Sequence, residues 1–204
     1  MNILKIYPTS INRRFIDEAV AKMRDGGIII YPTDSLYAIG CDALNNSAVD
    51  RVCRIKSINP QKQSLSIVCH SLSMASEYAR IDNKAFSLIK PNIPGPFTFI
   101  LPASTSLPKL FKGRKEAGIR IPDNPIALAL TEALGNPMMS TSIQYDPEEP
   151  ESATHPEEIA MRYESSGVNL MINGGTGGIN PTAIIDLTDS ANPDILREGP
   201  AELR

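Results

Sequence analysis

The stretch Ile28-Ile-Ile-Tyr31 is apolar without a break, mostly β-branched, and bracketed by Gly26-Gly27 before it and Pro32 after it. A run this short, with no polar alternation, fits a strand covered on both faces. Such a strand needs layers on each side of its sheet, which makes an α/β chain the expectation. The neighbouring segments agree. Residues 10–25 carry Phe15, Ile16, Ala19, Val20 and Met23 at three-to-four spacing, with Ser10 placed to cap the start and Gly26-Gly27 to stop the helix.

Further helices are predicted over 47–56, 71–79, 82–90, 125–134 and 156–164. Strands are predicted over 65–69, 97–101, 119–121, 138–141, 168–172, 182–187 and 194–197. Residues 145–156 are acidic and proline-rich and read as a loop. Strands and helices interleave without a clean βαβ repeat, and no linker separates two cores. One α/β domain over 1–204, built on a twisted mixed sheet, is the expectation.

At 204 residues, 42% hydrophobic and 21% charged, the chain has the balance of a globular protein. No apolar run approaches the roughly 18–20 residues that span a bilayer. The N-terminus, Met1 to Pro8, shows no basic region followed by a signal-peptide core, so a cytoplasmic location without membrane contact is expected. Cys41, Cys53 and Cys69 are odd in number and form no CxxC pair, which disfavours a disulfide framework. His70 and His155 are far apart, so no metal site is expected.

Two hydroxyl-rich runs point to a binding site. Tyr31-Pro-Thr-Asp-Ser-Leu-Tyr-Ala-Ile-Gly-Cys41 follows the isoleucine strand, and Met138-Met-Ser-Thr-Ser142 forms the second. Hydroxyls placed where strands end can line a pocket for a polar or anionic ligand. Net charge is −3, yet bases cluster locally: Arg51, Arg54, Lys56 and Lys62 with no acid between them, then Lys109, Lys112, Arg114, Lys115 and Arg120 broken only by Glu116. A basic face on a mildly acidic protein can attract phosphates, although basic runs also serve as plain solvated surface.

Individual residues leave alternatives open. Asn173-Gly-Gly-Thr-Gly-Gly178 lacks the Lys-Ser/Thr ending of a Walker loop and reads as turn glycines rather than a phosphate cradle. Ser140-Thr-Ser142 has no nearby histidine and no GxSxG elbow, so ligand hydrogen bonding suits it better than nucleophilic catalysis. Lys56 at a helix C-terminus is favourable in any protein. Arg120, between Ile119 and Ile121, either faces solvent at an edge or points into a polar cleft, where its planar fork suits a carboxylate or phosphate. Arg197 allows the same two readings.

An ordered series of segments resembles the YrdC/YciO family. It comprises Gly26-Gly-Ile-Ile-Ile-Tyr-Pro-Thr-Asp34, Gly40-Cys-Asp42, Arg54-Ile-Lys56, Pro94-Gly-Pro-Phe-Thr-Phe-Ile-Leu101, Gly118-Ile-Arg-Ile-Pro122, Pro137-Met-Met-Ser-Thr-Ser142, Pro181-Thr-Ala-Ile-Ile-Asp186 and Leu196-Arg-Glu-Gly199. The resemblance implies a YrdC/RibB-like α/β fold with a concave basic face that binds nucleotide and double-stranded RNA or tRNA. In one branch it implies threonylcarbamoyl-AMP synthesis from ATP, L-threonine and bicarbonate, with Mg2+ accompanying ATP and no tightly bound cofactor. That adenylate serves the N6-threonylcarbamoyl modification of tRNA adenosine.

Position by position, the resemblance implies that Thr33, Arg120 and Ser142 contact the threonine side. Lys56, Ser140, Thr182 and Arg197 would contact ATP or AMP, and Arg51, Arg54, Lys56 and Arg120 would be the RNA contacts. Two departures from the synthase pattern bring the chain closer to the YciO branch. Ile58 stands where the synthase pattern has arginine, and Ser142 is followed by Ile143-Gln144 rather than Ala-Asn. Losing an arginine from a triphosphate site removes a charge-assisted contact of roughly 1.5–3 kcal/mol. The expectation is a double-stranded RNA- and nucleotide-binding protein linked to tRNA modification or translation, its pocket retained; the alternative is a threonylcarbamoyl-AMP synthase of inefficient turnover.

Overall fold

The computed structural model describes residues 1–59, 66–104 and 115–204. The chain begins with strand β1 (Asn2–Lys5) and helix α1 (Arg13–Arg24), followed by β2 (Ile29–Tyr31), β3 (Ala38–Asp42), α2 (Asn46–Ile55) and β4 (Ser66–Val68). Helices α3 (Leu72–Tyr78) and α4 (Asn83–Ile89) lead to β5 (Phe97–Pro102) and β6 (Glu116–Arg120). Next come α5 (Pro125–Leu134), β7 (Met138–Ser142), α6 (Pro156–Tyr163), β8 (Leu170–Asn173), β9 (Ala183–Asp186) and β10 (Asp194–Arg197).

Among the described residues the strands form one mixed ten-stranded sheet in the order β1-β8-β2-β3-β7-β4-β6-β5-β9-β10. Its two faces are covered unequally. On the first face α1 contributes Ile16, Ala19, Val20 and Met23, and α5 contributes Ile126, Leu130 and Leu134. These pack on Leu4, Leu170, Ile29, Tyr31 and Ala38, reaching only Met138 of β7 and Val68 of β4. On the second face α2, α3, α4 and α6 cover Ile39, Met139, Ile67, Ile119, Phe99 and Ile185. Beyond β3, therefore, much of the first face lies outside the helix layer.

Helix ends are set by local chemistry. The Gly27 amide bonds the Lys22 carbonyl at 2.8 Å and the Gly26 amide bonds that of Met23 at 2.8 Å, with Gly26 at φ +81°. That paired closure around a left-handed residue is a Schellman stop for α1. Asn45, Ser71, Asp82 and Asn124 cap α2, α3, α4 and α5 through side-chain oxygens that accept backbone amides.

Some boundaries differ from the sequence reading. Helix α1 starts at Arg13, not near Ser10, because the Ser10 amide closes a turn onto the Tyr7 carbonyl and Asn12 takes the cap position. Strands β1 and β3 lie outside the segments predicted as strands. The short β1 has one buried residue, Leu4, and β3 carries Gly40 in its centre, so neither shows a strong strand pattern. Leu65, the first residue of the predicted 65–69 strand, lies outside the described residues, as do Lys62, Lys109, Lys112 and Arg114.

Candidate functional site

The register of the sheet builds a polar stripe on the face that α1 and α5 leave open. Ser140 of β7 pairs with Gly40 of β3 on one side and Ser66 of β4 on the other, and Ser66 pairs with Gly118 of β6. Strand alternation sends Ser140 and Ser142 to this face and Met139 to the opposite core. The small residues are required. A β-carbon on Gly118 would lie 2.7 Å from Ser66 Oγ, and one on Gly40 would lie 2.8 Å from the Tyr31 ring.

A cavity of about 130 Å³ opens over this stripe, lined by Ser66, Ser140 and Ser142. Thr98, Arg120, Thr182 and Arg197 complete its polar wall, and Ile58 and Ile184 supply apolar surface. The structure thus brings together Arg120, Ser140, Ser142, Thr182 and Arg197 from three strands and the segment before β9. A cavity of this size accommodates the charged end of a ligand.

Arg120 is 5% exposed and forms a buried ion pair, its Nη2 lying 2.9 Å from Asp34 Oδ1. The same nitrogen donates to Ser35 Oγ at 3.2 Å, and Asp34 Oδ2 accepts the Asp123 amide at 2.8 Å. Arg120 Nε is buried without a partner among the described residues. An orphan N–H on a buried cation is uncommon and marks a guanidinium whose donors the fold does not fully satisfy.

Thr33 has no such freedom. Its hydroxyl donates to the Leu36 carbonyl at 2.7 Å and accepts the Ser35 amide at 3.1 Å. With its hydrogen so committed, the 3.0 Å bond to Ser35 Oγ is donated by Ser35. Thr33 therefore braces the turn that presents Asp34 and Ser35, and it is not among the residues lining the cavity.

On the far side, Arg197 donates from Nε to the Thr182 carbonyl at 2.8 Å and from Nη2 to Thr182 Oγ1 at 3.2 Å. Thr182 Oγ1 lies 2.9 Å from Thr98 Oγ1. One threonine donates to the other, so one hydroxyl hydrogen of the pair remains for a ligand. Burial lowers the Arg197 pKa, the neighbouring Arg120 lowers it further, and Tyr145 opposes both. Two guanidinium groups feeling each other across one cavity are relieved by an anion between them.

Lys56 and Ile58 are placed by the end of α2. The Ile58 amide bonds the Cys53 carbonyl at 2.8 Å and the Ser57 amide bonds that of Arg54 at 3.1 Å, with Ser57 at φ +52°. This is the same closure that ends α1, with serine in the left-handed position. It brings Ile58 to the cavity, while Lys56 is half-buried at the helix cap with its pKa lowered by burial and does not line the cavity.

Arg51 and Arg54 lie on α2, which packs on the second face of the sheet. Arg51 donates to the Gly26 carbonyl, and Arg54 pairs with Asp50 at 2.7 Å on the exposed helix surface. Neither joins the stripe. Ile143 is buried in the second-face core, and the exposed Gln144 uses its backbone: its amide bonds the Tyr163 hydroxyl and its carbonyl accepts from Arg162.

The glycine-rich segment after β8 is a packing device. Gly174 N–H donates to Tyr37 Oη, Gly175 to Asn173 Oδ1, Gly177 to the Thr154 carbonyl and Gly178 to the Ser35 carbonyl. All four amides have intramolecular partners, consistent with turn glycines. Among the described residues no group of three or more His, Cys, Asp or Glu side chains could hold a metal ion, and no helix is long and apolar enough to cross a membrane.

Sequence reasoning overlooked Thr98 and Ser66 as parts of this arrangement, and it placed Tyr31, Asp34 and Ser35 in a hydroxyl run without their partners. Alternation could have found Thr98, since the flanking Phe97 and Phe99 are both core residues of the other face. Nothing local shows that Tyr31 meets Ser140, since its ring crosses one strand to reach the next.

Known proteins resemble this chain over nearly its whole length. A family model described as Telomere recombination, for Sua5, YciO and YrdC, matches residues 21–199. Over 201 residues the chain is 44% identical to the uncharacterized protein YciO of Escherichia coli K12, covering 98% of this chain and 96% of that protein. The crystal structure of E. coli YciO superposes with a TM-score of 0.91 at 42% identity, covering 100% of this chain and 98% of that one. A threonylcarbamoyl-AMP synthase of Halorhodospira halophila is 32% identical over 174 residues, 84% of this chain and 89% of that protein. P. abyssi Sua5 complexed with L-threonine matches with a TM-score of 0.86 at 29% identity, covering 98% of this chain and 58% of that one. The chain belongs to the Sua5/YciO/YrdC family.

Proposed function

We propose that the polar stripe binds the anionic ends of a nucleotide and of L-threonine, and that the protein is a threonylcarbamoyl-AMP synthase of low turnover serving tRNA modification. The observation that carries this reading is the convergence of Arg120 and Arg197 on one cavity walled by donor hydroxyls. The relatives named as threonylcarbamoyl-AMP synthase and as a complex with L-threonine support the choice of substrates.

In the proposed reaction the threonine amine and bicarbonate give a carbamate with loss of water. A carbamate oxygen attacks the α-phosphorus of ATP, the bond from that phosphorus to the bridging oxygen breaks, and the electron pair leaves on pyrophosphate. No side-chain nucleophile is needed. Fixed cations, together with Mg2+ brought by ATP, stabilise the developing charge. Arg120 and Ser142 would hold the threonine side, and Ser140, Thr182 and Arg197 the nucleotide. Lys56 would join only by reaching in from the helix cap.

An RNA surface made of Arg51, Arg54, Lys56 and Arg120 has less support, because Arg51 and Arg54 sit across the sheet from Arg120. The test is incubation with ATP, L-threonine and 13C-bicarbonate, followed by mass spectrometry. A labelled adenylate containing threonine is the expected product. ATP left intact, with no labelled product, would refute the proposal.

A further inference from the structure

Tyr31 and Ser140 form a directed hydroxyl pair. The phenol oxygen lies 2.6 Å from Ser140 Oγ, and Tyr31 is fully buried with no other hydroxyl partner among the described residues. The contact spans β3: Tyr31 pairs with Ala38, Gly40 pairs with Ser140, and the Tyr31 ring lies over Gly40 between them. Any side chain at position 40 would displace the ring.

The direction of this bond follows from what each group has to offer. A phenol carries one hydrogen, and burial holds it there, with the pKa pushed up to about 12. Were Ser140 the donor, the phenol hydrogen would be stranded in the core without an acceptor, the costlier arrangement. Tyr31 is therefore the donor. Ser140, its oxygen already accepting, turns its own hydrogen toward the cavity it lines.

We infer that Tyr31 is a positioning residue that makes Ser140 an obligate donor, so that this part of the site selects an anionic oxygen, phosphate or carboxylate. The inference rests on the stripe being the ligand site of the proposed function and adds the device that sets its polarity. Without the phenol, the serine hydroxyl is free to rotate and to accept as readily as donate. Phenylalanine at position 31 keeps the ring over Gly40 and removes only the oxygen.

The test is a double-mutant cycle read by titration calorimetry, using AMP and L-threonine as separate probes on wild type, Tyr31→Phe, Ser140→Ala and the double variant. Thermal melts confirm that each variant is folded. Tyr31→Phe is expected to weaken one probe by about five- to tenfold, the value of one hydrogen bond. In the Ser140→Ala background the same change is expected to cost less than twofold. Loss confined to AMP assigns the donor to phosphate, and loss confined to L-threonine assigns it to carboxylate.

An equal cost of Tyr31→Phe in both backgrounds would overturn the inference, since the phenol would then act without Ser140. So would a wild-type protein that binds neither probe. Binding with the expected coupling but no adenylate product would leave this inference standing and remove the synthase reading.

Discussion

Arg120 Nη2 and Asp34 Oδ1 lie 2.9 Å apart, with 6% and 8% of their side chains exposed, and this pair ties β6 to the turn after β2. Strand β6 and that turn are separated by 86 residues in sequence. The pair also fixes which edge of the guanidinium is left over, because Asp34 and Ser35 both take Nη2 and leave Nε unpartnered. Removing one member of a buried pair strands the other. Asp34→Ala is expected to lower unfolding stability by about 3–5 kcal/mol. Urea denaturation followed by circular dichroism checks this, and a change below about 1 kcal/mol would show that Arg120 finds another partner.

Gly40→Ala should be far more disruptive than its single methyl suggests. The added carbon would lie 2.8 Å from a Tyr31 ring atom and 3.3 Å from the Met139 carbonyl, and neither group can retreat within the packed sheet. Overpacking of this kind costs about 1–3 kcal/mol. The expected result is a lowered melting temperature together with weaker AMP binding, because the ring that reaches Ser140 must move. Unchanged melting would show that the ring has room to shift.

Stability should fall in alkali. Burial raises Tyr31 and Tyr37 from their usual 10 to about 12, Ser140 and the Gly174 amide partly opposing it, and raises Cys69 from 9 to about 12. Between pH 9 and 12 the unfolded chain loses these protons while the folded chain keeps them, so the folded state is progressively disfavoured. The stabilisation is complete below about pH 9 and is lost as pH rises through 12. Tyr31 alone accounts for about 3 kcal/mol of that loss. Urea midpoints at pH 8 and pH 11 capture about half of it, with Tyr31→Phe expected to flatten the decline.

Ile58→Arg should raise turnover. Ile58 lines the cavity because Ser57 holds the left-handed position that ends α2, so a longer charged side chain there starts from the cavity wall. A charge-assisted contact to a triphosphate is worth about 1.5–3 kcal/mol, or roughly ten- to a hundredfold. Steady-state assays at saturating ATP should show an increase of that order. No increase would show that position 58 does not limit the reaction.

Much of this architecture is legible in the chain. The helix faces follow from apolar spacing, and Pro125 and Gly135 bound α5 because proline tolerates a first turn and glycine the left-handed stop. Strand β3 is not legible, since Gly40 breaks its apolar run for the benefit of a ring two strands from Ser140. The site divides in the same way. Ser140 and Ser142 stand out as a hydroxyl run, and Arg120 as a charge between isoleucines. That Asp34 partners Arg120, that Thr33 is consumed by its own turn, and that Arg51 and Arg54 face the other way depend on register and helix placement, which no local pattern encodes.

The most direct measurement is pyrophosphate release from ATP by the purified protein, with and without L-threonine and bicarbonate. The expected result is slow release that requires both co-substrates and is lost in Arg120→Ala. Release independent of threonine, or none at all with AMP and threonine still bound, would contradict the synthase reading.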